Sequence, residues 1–163
     1  MMGALDIDVA VEAEAWEAAL PDLQGLIEQA VRAAAGDLDE ADAYEVSVVL
    51  GDDARARSLN RDWRGKDMPT NVLSFPASDD DAPTLPGQPV LLGDIVLALE
   101  TCEREARELE KPLADHVRHL LVHGMLHLLG FDHETDADAE DMEREEIAAL
   151  AAIGVANPYP DRV

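Results

Sequence analysis

The chain has 163 residues, 47% hydrophobic and only 4% aromatic, enough apolar material for one domain whose core must come from Leu, Val, Ile and Ala. Twelve Lys and Arg against 36 Asp and Glu leave a formal net charge of −24, which argues against a surface that coats nucleic acid through general basicity. The single cysteine, Cys102, excludes an internal disulfide and a cysteine-based zinc site. The opening "MMGALDIDVAVEAEAW" lacks a basic, apolar leader and no run is long enough to span a membrane, so a cytoplasmic protein in a reducing compartment is expected.

In chain order, "LDIDVAV" (5 to 11) alternates apolar and other residues and predicts a half-buried strand. After Pro21, the apolar positions Leu23, Leu26, Ile27, Ala30, Val31 and Ala34 follow a 3.6-residue period, so an amphipathic helix runs to Gly36. "YEVSVVL" (44 to 50) is a second strand, and Asp52 or Asp53 caps a helix reaching about Trp63. "TNVLSF" (70 to 75) is a short strand, the Pro- and Asp-rich stretch 77 to 89 a loop, and "VLLGDIVLAL" (90 to 99) another strand. A helix over roughly 100 to 110 follows. Pro112 opens a long helix, apolar on most sides, that Gly130 ends. Thr135 starts a last helix ending near Gly154. No repeat or linker divides the chain. The expected fold is α+β: a single domain over residues 1 to 163, a small mixed four-stranded sheet packed with about five helices.

Charge is unevenly spread. Arg55, Arg57, Arg61, Arg64 and Lys66 fall within twelve residues, while "ETDADAEDMEREE" (134 to 146) carries eight carboxylates and "ASDDDAPTLPGQP" (77 to 89) carries three. The acid reads mostly as a solvated surface. The basic stretch leaves room for a local phosphate site, although Arg55 and Arg57 are better read as pairing with surface carboxylates.

All five histidines lie in "HVRHLLVHGMLHLLGFDH" (116 to 133). On a helix, His116, His119, His123 and His127 fall within an arc of about 80°. His123 and His127, at i and i+4, stand one above the other, the spacing that lets one helix offer two nitrogens to one metal. Gly130 lets the chain turn, and His133 follows three residues later. Three histidine ligands leave a tetrahedral metal one open position, the catalytic form of a zinc site; a closed structural site would need a fourth ligand, such as Asp132 or Glu134. His116 and His119 read as supporting residues of the same stripe. The metal set is therefore His123, His127 and His133, at the end of a buried helix.

The spacing is that of the metzincin proteases, His-Glu-x-x-His-x-x-Gly-x-x-His, but position 124 is Gly rather than the Glu that serves as their general base. A Met-turn is also absent, since Met142 lies in a helical run. Protease chemistry is therefore unsupported, and other metallohydrolases with this His spacing remain the alternative.

"HGMLHLLGFDH" resembles the signature of the bacterial YbeY family of single-strand-specific endoribonucleases and rRNA maturation factors. "LNRDWRGKDMPTNVLSFP" (59 to 76) resembles that family's second motif and "LLGDIVLA" (91 to 98) its third; "KPLADHVRHLLVHG" extends the match, which covers roughly residues 44 to 155. The resemblance implies one Zn2+ per chain on His123, His127 and His133, and a functional arginine, here Arg64 in "WRGKD", where Trp63 replaces the commoner Tyr. It implies cleavage of single-stranded rRNA, in 16S rRNA 3'-end maturation and ribosome quality control, with the ribosome as the expected partner. A non-catalytic assembly factor stabilised by zinc is the other alternative.

The residues agree with that expectation. Three-histidine zinc can lower the pKa of a bound water from ~15.7 towards ~7 or polarise a phosphate. The planar fork of Arg64 suits non-bridging oxygens, and Arg55, Arg57, Arg61 and Lys66 could hold flanking phosphates of a single strand. Asp132 and His119 both stand as candidates for the general base. Thr70, Asn71 and Ser74 could shape the cleft. Nickel or cobalt is not distinguished from zinc by the ligand set, and the charge of −24 implies salt-sensitive RNA binding unless a partner presents the substrate.

Overall fold

The computed structural model describes residues 4–36, 43–64, 71–76, 90–131 and 134–159. The elements are β1 (Ala4–Val11), α1 (Ala15–Ala19), α2 (Leu23–Ala35), β2 (Ala43–Gly51), α3 (Asp53–Arg64), β3 (Val72–Pro76), β4 (Val90–Ala98), α4 (Leu99–Glu108), α5 (Leu113–Leu128) and α6 (Asp136–Ala152). The sheet has the order β1-β2-β4-β3. β1, β2 and β4 run parallel, and β3 pairs antiparallel with β4. The expected mixed four-stranded α+β domain is thus observed.

The alternation in the strands sorts the two faces of the sheet. Val46, Val48 and Leu50 of β2 and Ile95 and Leu97 of β4 are buried in the main core, with Leu5 of β1. Their registers, Val48 opposite Ile95 and Leu50 opposite Leu97, line these side chains up in rows that one layer of helices covers. Asp6, Asp8, Glu45, Ser47 and Asp94 point to the other face, where α3 packs over β3 and β4.

α5 is the centre of the helical layer. It packs against α2, α4, α6, β3 and β4, and Val117, Leu120, Leu121, Val122, Met125 and Leu126 are buried on several of its sides. A helix apolar nearly all round is stable only when surrounded, which is why the histidine stripe ends up inside the domain.

The expected caps are present. Asp52 Oδ1 accepts from the backbone N–H of Arg55 at 2.8 Å, starting α3. Thr135 Oγ1 accepts from Asp138 N–H at 3.0 Å, starting α6. Two details differ from expectation. Pro112 is the residue before α5, with extended ψ of 141°, and its carbonyl accepts from His116 N–H at 3.1 Å. The short helix α1 makes six helices among the described residues, against the about five expected. It has barely more than one turn and too little periodicity to be read locally; Trp16 anchors it, fully buried and donating through Nε1 to the Gly51 carbonyl at 2.8 Å.

Candidate metal centre

The end of α5 sets the site. Gly130 has φ of 103°, open to glycine and strained for other residues. Its N–H donates to the His127 carbonyl at 3.1 Å, and the Phe131 N–H reaches back to the Leu126 carbonyl at 3.0 Å. These paired bonds are a Schellman closure. The turn also delivers the Phe131 carbonyl to His127 Nδ1, 3.0 Å away.

Each histidine of the stripe has an acceptor. His116 is buried, and its Nε2 lies 2.8 Å from Glu105 Oε1 on α4. Burial holds the His116 imidazole below its ordinary value, against the pull of Glu105. His123 Nδ1 is hydrogen-bonded to Glu146 Oε1 on α6. His119 Nε2 lies 3.3 Å from Glu146 Oε2 and 3.2 Å from the Tyr159 hydroxyl, which itself donates to Glu146 Oε2 at 2.6 Å. Burial pushes the Glu146 carboxyl up, but hydrogen bonds from His119, His123 and Tyr159 outweigh it and hold the group at about 2.

These bonds decide where the ring protons sit. A carbonyl oxygen only accepts, so His127 carries its proton on Nδ1 and a lone pair on Nε2. The carboxylate of Glu146 imposes the same tautomer on a neutral His123. The two Nε2 atoms stand 3.1 Å apart. Facing lone pairs repel at that distance unless a shared proton or metal ion holds them. A tetrahedral metal with N bonds of ~2.0–2.1 Å sets its nitrogens ~3.3 Å apart, so the pair fits two corners of such a site. Orientation of both rings through Nδ1 is also how metal-binding histidines are commonly held. His133, the third expected ligand, and Asp132 lie outside the described residues. Among the described residues no group of three metal-binding side chains occurs.

Gly124 has a structural reason beside the chemical one. A Cβ built there would meet Ile95 Cγ2 and Ser74 Oγ, each at 3.0 Å, and Ser74 Oγ donates to the Gly124 carbonyl at 3.1 Å. α5 lies against the sheet here, so any side chain at this position presses on Ile95 and Ser74.

The sequence matches the family model described as Endoribonuclease YbeY over residues 8–154. The chain belongs to the YbeY family. Among curated relatives named Endoribonuclease YbeY, that of Paramagnetospirillum magneticum is 51% identical, over 97% of this chain and 98% of its own. That of Rhodospirillum rubrum is 55% identical over 90% of this chain and 77% of its own, and that of a Jannaschia species 51% over 95% and 100%. The solution structure of TM1509 from Thermotoga maritima is similar with a TM-score of 0.52 and 25% identity, covering 90% of this chain and 91% of that one. The YbeY resemblance read from three motifs therefore holds across nearly the whole length, reaching into the N-terminal strand.

Other residues of the YbeY motifs are placed as follows. Arg64 is the last residue of α3; its side chain, and Lys66 and Thr70, lie outside what is described. Arg55 pairs with Glu12 at 3.2 Å, as its surface reading expected, and Arg61 with Asp62 at 3.4 Å, all four side chains about half exposed. Such pairs are weak, at about 0–1 kcal/mol. Asn71 is held by two bonds: its Oδ1 accepts from Val72 N–H at 2.7 Å and its Nδ2 donates to Glu105 Oε1 at 3.0 Å. A groove of about 970 Å3 on the open sheet face is lined by Asp6, Asp8, Glu45 and Asp94 against Arg55, a charge balance that repels polyanions. No helix among the described residues is long and apolar enough to cross a membrane.

Sequence reasoning missed Glu146, Tyr159 and Glu105. Glu146 had a signal. It lies four residues after Met142 and four before Leu150, on the buried stripe of α6. A carboxylate in an apolar stripe calls for donors.

Proposed function

We propose that this YbeY-family chain is a zinc-dependent endoribonuclease specific for single-stranded RNA. It would act in the cytoplasm, in 16S rRNA 3'-end maturation and ribosome quality control, on substrate presented by the ribosome. One Zn2+ would be held by His123, His127 and His133, with Arg64 on the scissile phosphate. Family membership makes the chain an endoribonuclease, an enzyme that hydrolyses phosphodiester bonds, so RNA is the substrate. The observation that supports the metal reading is the convergence of the His123 and His127 Nε2 atoms at 3.1 Å, with both Nδ1 atoms on acceptors.

Zinc supplies Lewis acidity at that point when bound. The chain's residues do the rest. The tautomer set on His123 and His127 keeps two lone pairs aimed at one point. Arg64, permanently charged, suits the oxygens on which negative charge grows during displacement at phosphorus. The acid excess of the body disfavours free RNA in bulk, which fits a substrate presented by a partner.

Metal analysis coupled to a cleavage assay tests this. Wild type should carry zinc near one per chain and cut single-stranded RNA. His123→Ala should lose both metal and cleavage, and Arg64→Ala cleavage alone. Cleavage that survives Arg64→Ala overturns that residue's role. Zinc-loaded wild type that never cuts RNA, yet unfolds when chelated, overturns catalysis in favour of a zinc-stabilised assembly factor.

A further inference from the structure

The histidine pair depends on chain that lies well beyond it. Glu146 is 1% exposed, and both its oxygens are committed: Oε1 to His123 Nδ1, Oε2 to the Tyr159 hydroxyl and His119 Nε2. Tyr159 reaches this point from the segment after α6. That segment is fixed by its own bonds: Val155 N–H returns to the Leu150 carbonyl at 2.9 Å, and Tyr159 N–H donates to Asn157 Oδ1 at 2.7 Å. The Tyr159 ring stands edge-on to His119, with centroids 5.5 Å apart and planes at 86°. A carboxylate with one oxygen pinned by Tyr159 and His119 cannot rotate away from His123.

We infer that Glu146 and Tyr159 are positioning residues of the metal centre, Tyr159 acting as a C-terminal clasp that holds Glu146 against His123 and so holds His123 Nε2 toward the metal. This rests on the zinc reading above and adds residues that touch no metal themselves. Glu146 selects the tautomer of His123 and raises its basicity as a ligand. Tyr159 removes the freedom of the carboxylate to choose another partner, so less freedom must be lost when the ion binds. His119 serves the same clasp through its Nε2.

The test measures zinc affinity by chelator competition, on folded protein, for wild type, Glu146→Gln, Tyr159→Phe and His123→Ala. The tautomer of His123 is read alongside from imidazole nitrogen NMR of the metal-free protein. The amide of Glu146→Gln can satisfy only one of its two sides, so zinc should weaken by about 10–100-fold. Tyr159→Phe removes one oxygen and keeps the ring; it should weaken zinc several-fold and reduce the Nδ1–H tautomer of His123. A purely structural role for these residues would lower stability and leave affinity and tautomer unchanged. If Glu146→Gln does not fold, Tyr159→Phe carries the test. Wild-type affinity and tautomer in the folded variants, with zinc lost in His123→Ala, overturn the clasp alone. A His123→Ala chain that still binds zinc as wild type overturns the metal reading, and the clasp with it.

Discussion

Gly124→Ala sets two magnitudes against each other at one atom. In an exposed helix interior, Ala would be about 1 kcal/mol more stable than Gly. Here the added methyl meets Ile95 Cγ2 and Ser74 Oγ at 3.0 Å, against ~3.5–4.0 Å for relaxed contacts between carbons. Neither neighbour yields easily. Ile95 is fully buried in the core, and Ser74 is tied to the Gly124 carbonyl. Overpacking by one methyl costs about 1–3 kcal/mol, so the net effect should be a destabilisation of about 1 kcal/mol, read as a fall in Tm of about 2–4 °C. The sharper measurement is a double-mutant cycle by urea denaturation. Ser74→Ala removes one of the two clashing atoms, so Gly124→Ala should cost less in that background, with a coupling of at least about 0.5 kcal/mol. Strict additivity, or a Gly124→Ala chain about 1 kcal/mol more stable than wild type, would refute the close approach of α5 to the sheet. Gly124→Glu, which restores the metzincin base, should not yield a stable fold at all.

Two further outcomes follow from buried ionisable groups. Glu146 stands at about 2 in the folded chain against an ordinary 4.5, so folding favours its anion. Its contribution is complete above the ordinary value and drains as pH falls from 4.5 towards 2. Metal-free wild type should lose about 1 kcal/mol on this account between about pH 5 and pH 3.5, and Glu146→Gln should lose that much less across the same window; parallel curves in urea titrations would contradict the assignment. Burial pushes the Cys102 thiol up, the carboxylates of Glu105 and Asp53 adding to it, to about 12. Native protein should therefore resist a thiol reagent at neutral pH and react once unfolded; rapid labelling of the native chain would show that α4 opens locally.

The sequence by itself determined the order of the elements other than α1, because strand alternation, helical period and caps are local signals. The β1, β2 and β4 segments, the Asp52 and Thr135 caps and the Gly130 turn were all legible within a few residues of each position. The spacing of His123 and His127 was legible for the same reason: one helix sets it. What only the tertiary structure decided joins residues far apart in the chain. Glu146 is one of eight carboxylates in thirteen residues, and composition cannot single it out; the packing of α6 on α5 buries it, leaves six of the other seven exposed and the seventh half-buried, and turns it onto His119 and His123. Trp16 anchors α1 through a bond to Gly51, 35 residues on. Gly124 was read from sequence as a missing base, and the sheet beneath it supplies the steric half of the reason. Local period encodes which face of an element is apolar. Which polar residue on that face finds a partner is settled by the neighbour packed against it, since a buried charge is tolerated only where donors converge.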